Sequence, residues 1–561
     1  MESEFGLETY LGDRTLKVPC ILKELYSDFI VQEILEDGTV LRFLSDQEIR
    51  AQNKVVKVDD SLDVSIPVPS FITEEVLSDL DSLLQTESEK TSVDILTTDL
   101  AKDERKSIHG FVRSRYRGKL QSETSQNKIV VTLDDPKKRK RWHPDTPSHC
   151  HFTLAKENKD TSFALSLIAK FLHMKPSAFR SHGIKDRRAA TTQRISSGRI
   201  DKSRLLSLNN RLKGVRLYDF EFKSSDLKMG GHSGNRFSII LRSINPEHKN
   251  VLEERLNEIG KQGFLNYFGT QRFGSCDRNT ATVGKYILQR KWELAVRYIF
   301  SDVVSDSAYT VGHEDPLNNL KYVGKPIAAN SIESMIQKCL SNGGTWQQCI
   351  TEAIPMNMRS LYVHAYQSLL WNQVASRRIK LSPDSCIEGD MGSDGKLLGE
   401  NASIFDVYIP LPGGMTTFDS NYANDWYKDL LAKDDLTFES FVSLEDRFAL
   451  GDCVRAFIAK PIDLSWKFYN YTQPRCYLQD GLSTKAIPES ERVGPNLALQ
   501  VQFSLVQGLY ATVLLRQITG IDMGKSNMKE LCRQNGTLDN DPEDAEAADD
   551  IEENVILDPT P

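Results

Sequence analysis

Asp186 is a lone carboxylate in a run of cations. It lies in "SHGIKDRRAATTQ", with Lys185 before it and Arg187 and Arg188 after it. Between Arg180 and Arg216 stand eleven Lys/Arg residues and only two acids, Asp186 and Asp201. A solvated face normally intersperses both signs, so the imbalance asks for an anionic ligand. Clustered Arg and Lys neutralise phosphates, and that term dominates nucleic-acid affinity. As an isolated feature, an Asp beside Gly183 reads most simply as a turn cap. In a cationic field the reading changes. Nearby cations favour the ionised carboxylate, and an anion placed where phosphates approach is repelled unless it has a use.

Competing chemistries lack their residues. There is no GxxxxGK[ST] phosphate loop, no HExxH and no Gly-x-Ser-x-Gly elbow. "GGHSGN" lacks the strand–GxGxxG–helix setting and reads as a turn. "GHEDP" around His313 has no second histidine and reads as a loop. The nine cysteines are scattered, without a CxxC pair or a Cys/His cluster at zinc spacing. An intracellular protein with reduced thiols, no cofactor and no metal is expected.

The elements that must position Asp186 follow from periodicity. "SDFIVQEIL" is a strand with Phe29, Val31 and Glu33 on one face. "DTSFALSLIAKFLHMK" is a helix capped by Asp160 or Thr161 and ended with help from Pro176. Gly183 then breaks the chain, which places Asp186 in a loop before the strand "AATTQRISS". "VRLYDFEF" and "FSIILRSI" are strands separated by a Gly-rich turn. "NPEHKNVLEERLNEIGKQG" is a helix with Val251, Leu252, Leu256 and Ile259 inward and Gly263 near its end. Later come the helices "KYILQRKWELAVRYIF" and "RSLYVHAYQSLLWNQVASRRI", then a strand and helix in "LALQVQFSLVQGLYATVLLRQI". The class implied is α+β, with a mixed rather than doubly wound sheet.

At 561 residues the chain should form three or four units. No run of about 18 apolar residues marks a membrane span, and "MESEFGLETYLGDRT" is too polar for a secretory signal. Residues 46–72 look β-rich, "TEEVLSDLDSLLQ" is a helix, and "DERKSIHGFVRSRYRGKL" is basic, so 46–145 reads as an inserted module. Arg105 and His109 resemble the Arg-x-x-x-His core of a class of single-strand-binding modules. "PKKRKRW", 136–142, fits a nuclear-import signal or a phosphate-binding arm. The tail from Asp539 holds ten acids and no Lys or Arg; set aside, the formal charge of −8 becomes +2. Such a tail is expected to be disordered.

The motifs resemble those of the TruD family of pseudouridine synthases, the branch that includes eukaryotic Pus seven-type enzymes. "SDFIVQE", "GIKDRRAATTQ", "GNRFSIILR", "NYFGTQRFG", "AYQSLLWN" and "FSLVQGLYATVLLR" occur in family order across about 500 residues. "LVQG" departs from relatives, which often have a Pro- or Ser-containing turn there. The resemblance implies a discontinuous pseudouridine-synthase catalytic core with a mixed, largely antiparallel sheet. The corresponding segments are 1–45, 146–262 and 475–530, interrupted by the 46–145 module and a family-specific domain at 263–474, with a tail at 531–561.

It also implies the chemistry. Asp186 is the catalytic carboxylate that supports cleavage of a uridine N-glycosidic bond and rejoining through C5, by attack at C1′ or by removal of the C2′ proton. The base must be flipped out of its stack and met by an aromatic face and hydrogen bonds to its edge. Phe29, Asn266 and Phe268 take the family's substrate positions, though Phe29 also reads as strand core. Asn266 is harder to read as core, because a buried amide without partners is costly. Lys185, Arg187 and Arg272 are phosphate or carboxylate partners, or any one of them a structural ion pair; Gln193 and Gln271 are motif positions without an assigned role. RNA is the partner: tRNA first, then mRNA and small nuclear RNA. A stand-alone monomer, nuclear and also cytoplasmic, is expected. The alternatives are a catalytically silent RNA-binding protein and an RNA glycosylase that releases uracil.

Overall fold

The computed structural model describes residues 2–52, 66–84, 91–116, 119–133, 147–274, 279–300, 331–399, 401–413, 421–442, 444, 448, 450, 453–473 and 475–534. "PKKRKRW", Arg117, His313 and the acidic tail lie outside them. The chain divides into two compact units, 44–148 and the remainder.

The larger unit is built on a nine-stranded sheet. Its long strands are β1 (Phe29–Ile34), β2 (His149–Glu157), β3 (Ala190–Gly198), β4 (Val215–Lys223), β5 (Gly234–Ile244), β6 (Ile462–Tyr471) and β7 (Asn496–Val506). They run in the order β6-β7-β5-β1-β3-β2-β4, with Ile21–Leu22 added beside β5 and Phe179–Ser181 beside β3. Only β1 and β3 are parallel, Ile30 lying opposite Ala190. The fold is therefore α+β with a mixed, largely antiparallel sheet.

β5 shows why the sheet is covered twice. Its run Phe237-Ser-Ile-Ile-Leu241 is apolar on both faces, as a doubly buried strand requires. Phe237, Ile239 and Leu241 join the main core with Phe29 and Phe503, while Ile240 joins a second cluster with Tyr469, Tyr471 and Leu478. At the other half of the sheet, Phe152, Leu154 and Ile195 pack on Ala164 and Ile168 of helix α1 (Thr161–Leu172). Asp160 caps α1 by accepting from the Ser162 and Phe163 amides, and His173 ends it in the left-handed conformation.

Helix α2 (Lys249–Gln262) ends at Gly263, where φ is +72°. A Cβ there would lie 2.3 Å from the Ala459 carbonyl, so only glycine lets the chain turn toward "FLNYFG". The single helix expected over 285–300 is two, α3 (Thr280–Leu288) and α4 (Trp292–Phe300), broken where Arg290 adopts φ +57°. Helix α5 (Met356–Leu381) packs on α3 so tightly that a Cβ on Gly284 would reach 2.1 Å from the Tyr362 carbonyl.

Two expected boundaries need correcting. The core sheet takes the chain back at Ile462, because β6 pairs with β7 through Tyr471↔Asn496; 475 is too late. Residues 264–459 do not form a separate core either, since Phe264, Phe268, Trp371 and Phe457 share one cluster with Phe29 and Phe503.

In the smaller unit, residues 46–52 are helical, not β. Ser45 and Glu48 form a reciprocal cap: the Ser45 amide donates to Glu48 Oε2 and the Glu48 amide to Ser45 Oγ. Helix Lys102–Arg115 accompanies a three-stranded antiparallel sheet with Lys128–Leu133 in the middle. His109 is anchored on that sheet by Ser122 Oγ (2.7 Å) and Thr124 Oγ1 (2.9 Å). Arg115 is buried beside Asp81.

Candidate active site

The loop from His182 to Ala189 joins the short strand Phe179–Ser181 to β3, and side chains of three elements fix its backbone. From α1, the Thr161 hydroxyl accepts the Lys185 amide (3.2 Å) and donates to Gln193 Oε1 (3.0 Å). From β3, Gln193 donates to the Gly183 carbonyl (2.9 Å), which gives this motif glutamine its role. From β2, the buried Lys156 ammonium donates to the Asp186 carbonyl (2.8 Å) and more weakly to that of Lys185 (3.4 Å).

Lys185 turns inward. Its ammonium pairs with Glu33 Oε2 (3.1 Å) and donates to Asn235 Oδ1 (2.7 Å). Glu33 also accepts from His182 Nδ1 (2.9 Å) and from the Arg194 amide (3.0 Å). Burial alone would raise the Glu33 pKa; these three donors outweigh it and hold the carboxylate below its ordinary value. Of the roles open to Lys185, the contact seen here is the structural ion pair, buried inside the protein.

Asp186 points the other way. Its side chain is 54% exposed, and Oδ2 lies 2.6 Å from Lys23 Nζ. The same ammonium sits 3.9 Å from the centroid of the Phe29 ring. Lys23 has a left-handed backbone, φ +60°, and Arg188 clips that turn to the loop by donating to the carbonyls of Lys23 (2.9 Å) and Glu24 (2.8 Å). Phe29 is a core residue, 3% exposed and edge-on to Phe237, as the strand-core reading expected, and its ring lies beneath the Lys23 ammonium. Arg187 is exposed on the same loop.

The second group gathers on "NYFGTQRFG". Asn266 is buried but not without partners. Its Nδ2 donates to the Ala456 carbonyl (2.9 Å), and its Oδ1 accepts from Arg455 Nη2 (2.6 Å). Asn266 is hard to read as core because a buried amide needs partners; here both ends of the amide have them within the protein. Phe268 is 9% exposed. Arg455 lies 4.0 Å above its ring, with Trp371 and Tyr510 edge-on at 5.6 and 6.3 Å. Arg455 also donates to the Asn266 (2.8 Å) and Gly508 (3.0 Å) carbonyls. Burial pushes its guanidinium pKa down, with repulsion from Arg272 adding to the effect. Arg272 is half-buried, and its Nε has no hydrogen-bond partner. Gln271 Oε1 accepts from Thr512 (3.0 Å).

The two groups are tied to adjacent strands, one at β5 and the other just past the end of β7. Lys185 holds Asn235, which lies opposite Leu505, and Arg455 holds Gly508, three residues further on. Lys23, Lys156 and Arg455 escaped the sequence reading. Lys23 is 163 residues from Asp186, and Arg455 is 189 from Asn266. A cation within the mostly apolar "CILKELY" was the one local signal.

An exposed ion pair contributes at most about 1 kcal/mol to folding, so the Asp186–Lys23 pair matters for chemistry more than for stability. Lys23→Met keeps the stem over Phe29 and removes the charge. It is expected to slow turnover about 100-fold with little change in melting temperature, and Lys23→Arg to restore most of the rate. Comparing the three proteins by single-turnover kinetics and thermal melts checks this.

Burial pushes the Lys156 ammonium down to about 8 from 10.5, opposed by Asp160 and Asp186. Between those pH values the unfolded chain binds more protons, so Lys156 makes stability rise with pH there. Its charged hold on the Asp186 carbonyl is lost over the same range. Wild-type turnover should fall as pH passes about 8, whereas Lys156→Met should be slow already at pH 7 and flat across that range. A pH–rate profile of both proteins distinguishes them.

Among the described residues no group of three His, Cys, Asp or Glu could hold a metal, and no helix is long and apolar enough to cross a membrane. The fold matches that of a crystal structure of a Methanosarcina mazei protein bearing the tRNA pseudouridine synthase D (TruD) name, with a TM-score of 0.52, covering 93% of this chain and 98% of that one at 19% identity. The family model of tRNA pseudouridine synthase D (TruD) matches residues 117–518. A Caenorhabditis elegans protein bearing the pseudouridine synthase name is 47% identical, with 94% of each chain covered. The Bos taurus pseudouridylate synthase 7 homolog is 32% identical over 91% of this chain and 80% of its own length. The multisubstrate pseudouridine synthase 7 of Schizosaccharomyces pombe is 27% identical over 92% and 90%. This chain belongs to the TruD family of pseudouridine synthases. It is an RNA isomerase of the Pus seven type.

Proposed function

We propose that the enzyme flips a uridine out of tRNA, and also out of mRNA and small nuclear RNA, and isomerises it on Asp186 without a cofactor. The observation that carries this reading is the Asp186–Lys23 pair laid over the Phe29 ring. It sets a carboxylate and a fixed counter-charge in one place, the counter-charge braced on an aromatic ring. The carboxylate meets the sugar at C1′ or C2′, the glycosidic bond breaks, and the uracil turns while still enclosed. Its C5 then bonds to C1′ and the C5 proton leaves. Leaving group and acceptor stay in one pocket, so a second carboxylate with a bound water, as hydrolytic glycosidases need, is not required.

Phe268 and Asn266 serve as the wall behind the base, with Arg455 as the cation they hold toward it. Arg187 and Arg272 face phosphates, while Lys185 supports the loop. The family's tRNA pseudouridine synthase name and the multisubstrate name of the Schizosaccharomyces pombe relative favour tRNA first and a wider RNA range. The enzyme works as a monomer in the nucleus and also in the cytoplasm. The 44–148 unit adds RNA affinity through the basic end of helix Lys102–Arg115, where Arg113 is exposed.

The test is RNA carrying tritium at uridine C5. The synthase releases the label to water when C5 bonds to ribose. Labelled free uracil would identify a glycosylase instead, and binding without release a silent binder.

A further inference from the structure

Two aliphatic side chains stand in the open, one on the Asp186 loop and one on the loop fastened to it. Ile184, two residues before Asp186, is 72% exposed, and Met229 is 78% exposed. Among the described residues outside 44–148, no other large apolar side chain is as bare. Single exposed apolar residues are ordinary on protein surfaces. These two differ because the loops that carry them are fastened together beside the reacting carboxylate. The Gly230 amide donates to the His182 carbonyl (2.9 Å), and the His182 and His232 rings stack at 5.7 Å with their planes 13° apart. Gly231 lies so close that a Cβ on it would come within 3.3 Å of the His182 ring. His182 is in turn pinned to Glu33, which also holds Lys185. Ile184 and Met229 therefore project from a braced platform, not from slack loops.

A nucleotide that leaves its stack opens a gap between its neighbours, and unstacking costs a few kcal/mol. Apolar side chains inserted between bases offset that cost in other nucleic-acid-binding proteins. We propose that Ile184, with Met229 beside it, enters the base stack vacated by the flipped uridine and holds the RNA open during isomerisation. This rests on the base-flipping reading given above. It requires no chemistry from either side chain: the contact is apolar, against the faces of the flanking bases. It also explains why the braced loops leave aliphatic groups in water in a cationic neighbourhood that polar residues would suit better.

The test compares Ile184→Ser, Met229→Ser and the double variant with wild type on two RNAs. One is a folded tRNA transcript that the wild-type enzyme modifies. The other is a fragment of it that holds the same uridine but is too short to form helices. Tritium release from the folded transcript should fall about ten-fold or more in the double variant, and release from the fragment at most about twofold. A 2-aminopurine placed beside the target in the folded RNA should lose its enzyme-dependent fluorescence rise. Both side chains are exposed, so melting temperatures should not move. Equal loss on both RNAs, or no loss on either, overturns the proposal. If wild type releases no tritium from either RNA, the base-flipping reading itself has failed, which is a different result.

Discussion

Asp186→Asn is expected to slow pseudouridine formation by about a thousand-fold or more while leaving RNA affinity within a fewfold of wild type. The asymmetry follows from where the carboxylate stands. Its Oδ2 faces Lys23 in a half-exposed pair. The loop is kept in place by backbone contacts from Lys156, Thr161 and Gln193, none of which touches the Asp186 carboxylate. The amide of Asn keeps the shape but supplies neither a nucleophile nor a base. Removing one anion from a cationic surface would, if anything, strengthen phosphate attraction. Single-turnover rates measured beside filter-binding affinities separate the two quantities. A variant that lost binding and rate together would place Asp186 in the scaffold.

The second large effect falls on stability. Arg242 of β5 and Asp28, the residue before β1, form a bidentate pair at 2.8 and 2.7 Å. Both are fully buried, and Asp28 also accepts the Leu25 amide while Arg242 donates to the Cys476 carbonyl. Asp28 raises the Arg242 pKa against the effect of burial. Removing one partner from such a pair leaves a buried charge unmatched, which costs about 3–5 kcal/mol. Arg242→Leu should therefore lower the urea midpoint severely. Asp28→Leu combined with Arg242→Leu should recover much of the loss, because a pair replaced by apolar groups is often nearly neutral. Urea titrations of the two variants check this. Asp28 directly precedes Phe29, so the single variant should also lose turnover as the ring beneath Lys23 shifts.

Much of the catalytic half was legible because its signals are local. The loop aspartate, the alternation of Phe29, Val31 and Glu33, the Asp160 cap and the Gly263 stop all depend on neighbours in sequence. What failed was of two kinds. Some local punctuation lacked a conspicuous residue: the break at Arg290 carries neither Gly nor Pro, and the Ser45/Glu48 cap preceded a stretch read as strand. The rest was distant pairing. Nothing near Lys23 announces Asp186, and nothing near Asn266 announces Arg455. Asn266 was hard to read as core for that reason: its partners, Arg455 and Ala456, are far along the chain. β6 was placed outside the core for the same reason, since pairing with β7 shows only in three dimensions.

The central claim is that one carboxylate lets a uracil leave its ribose and return through carbon. Nucleoside analysis of a tRNA transcript after incubation with excess enzyme tests it most directly. Wild type should convert a fixed number of uridines to pseudouridine with no free uracil, and Asp186→Asn should leave every uridine unchanged while retaining the RNA. Pseudouridine formed by Asp186→Asn at the wild-type rate would contradict the account.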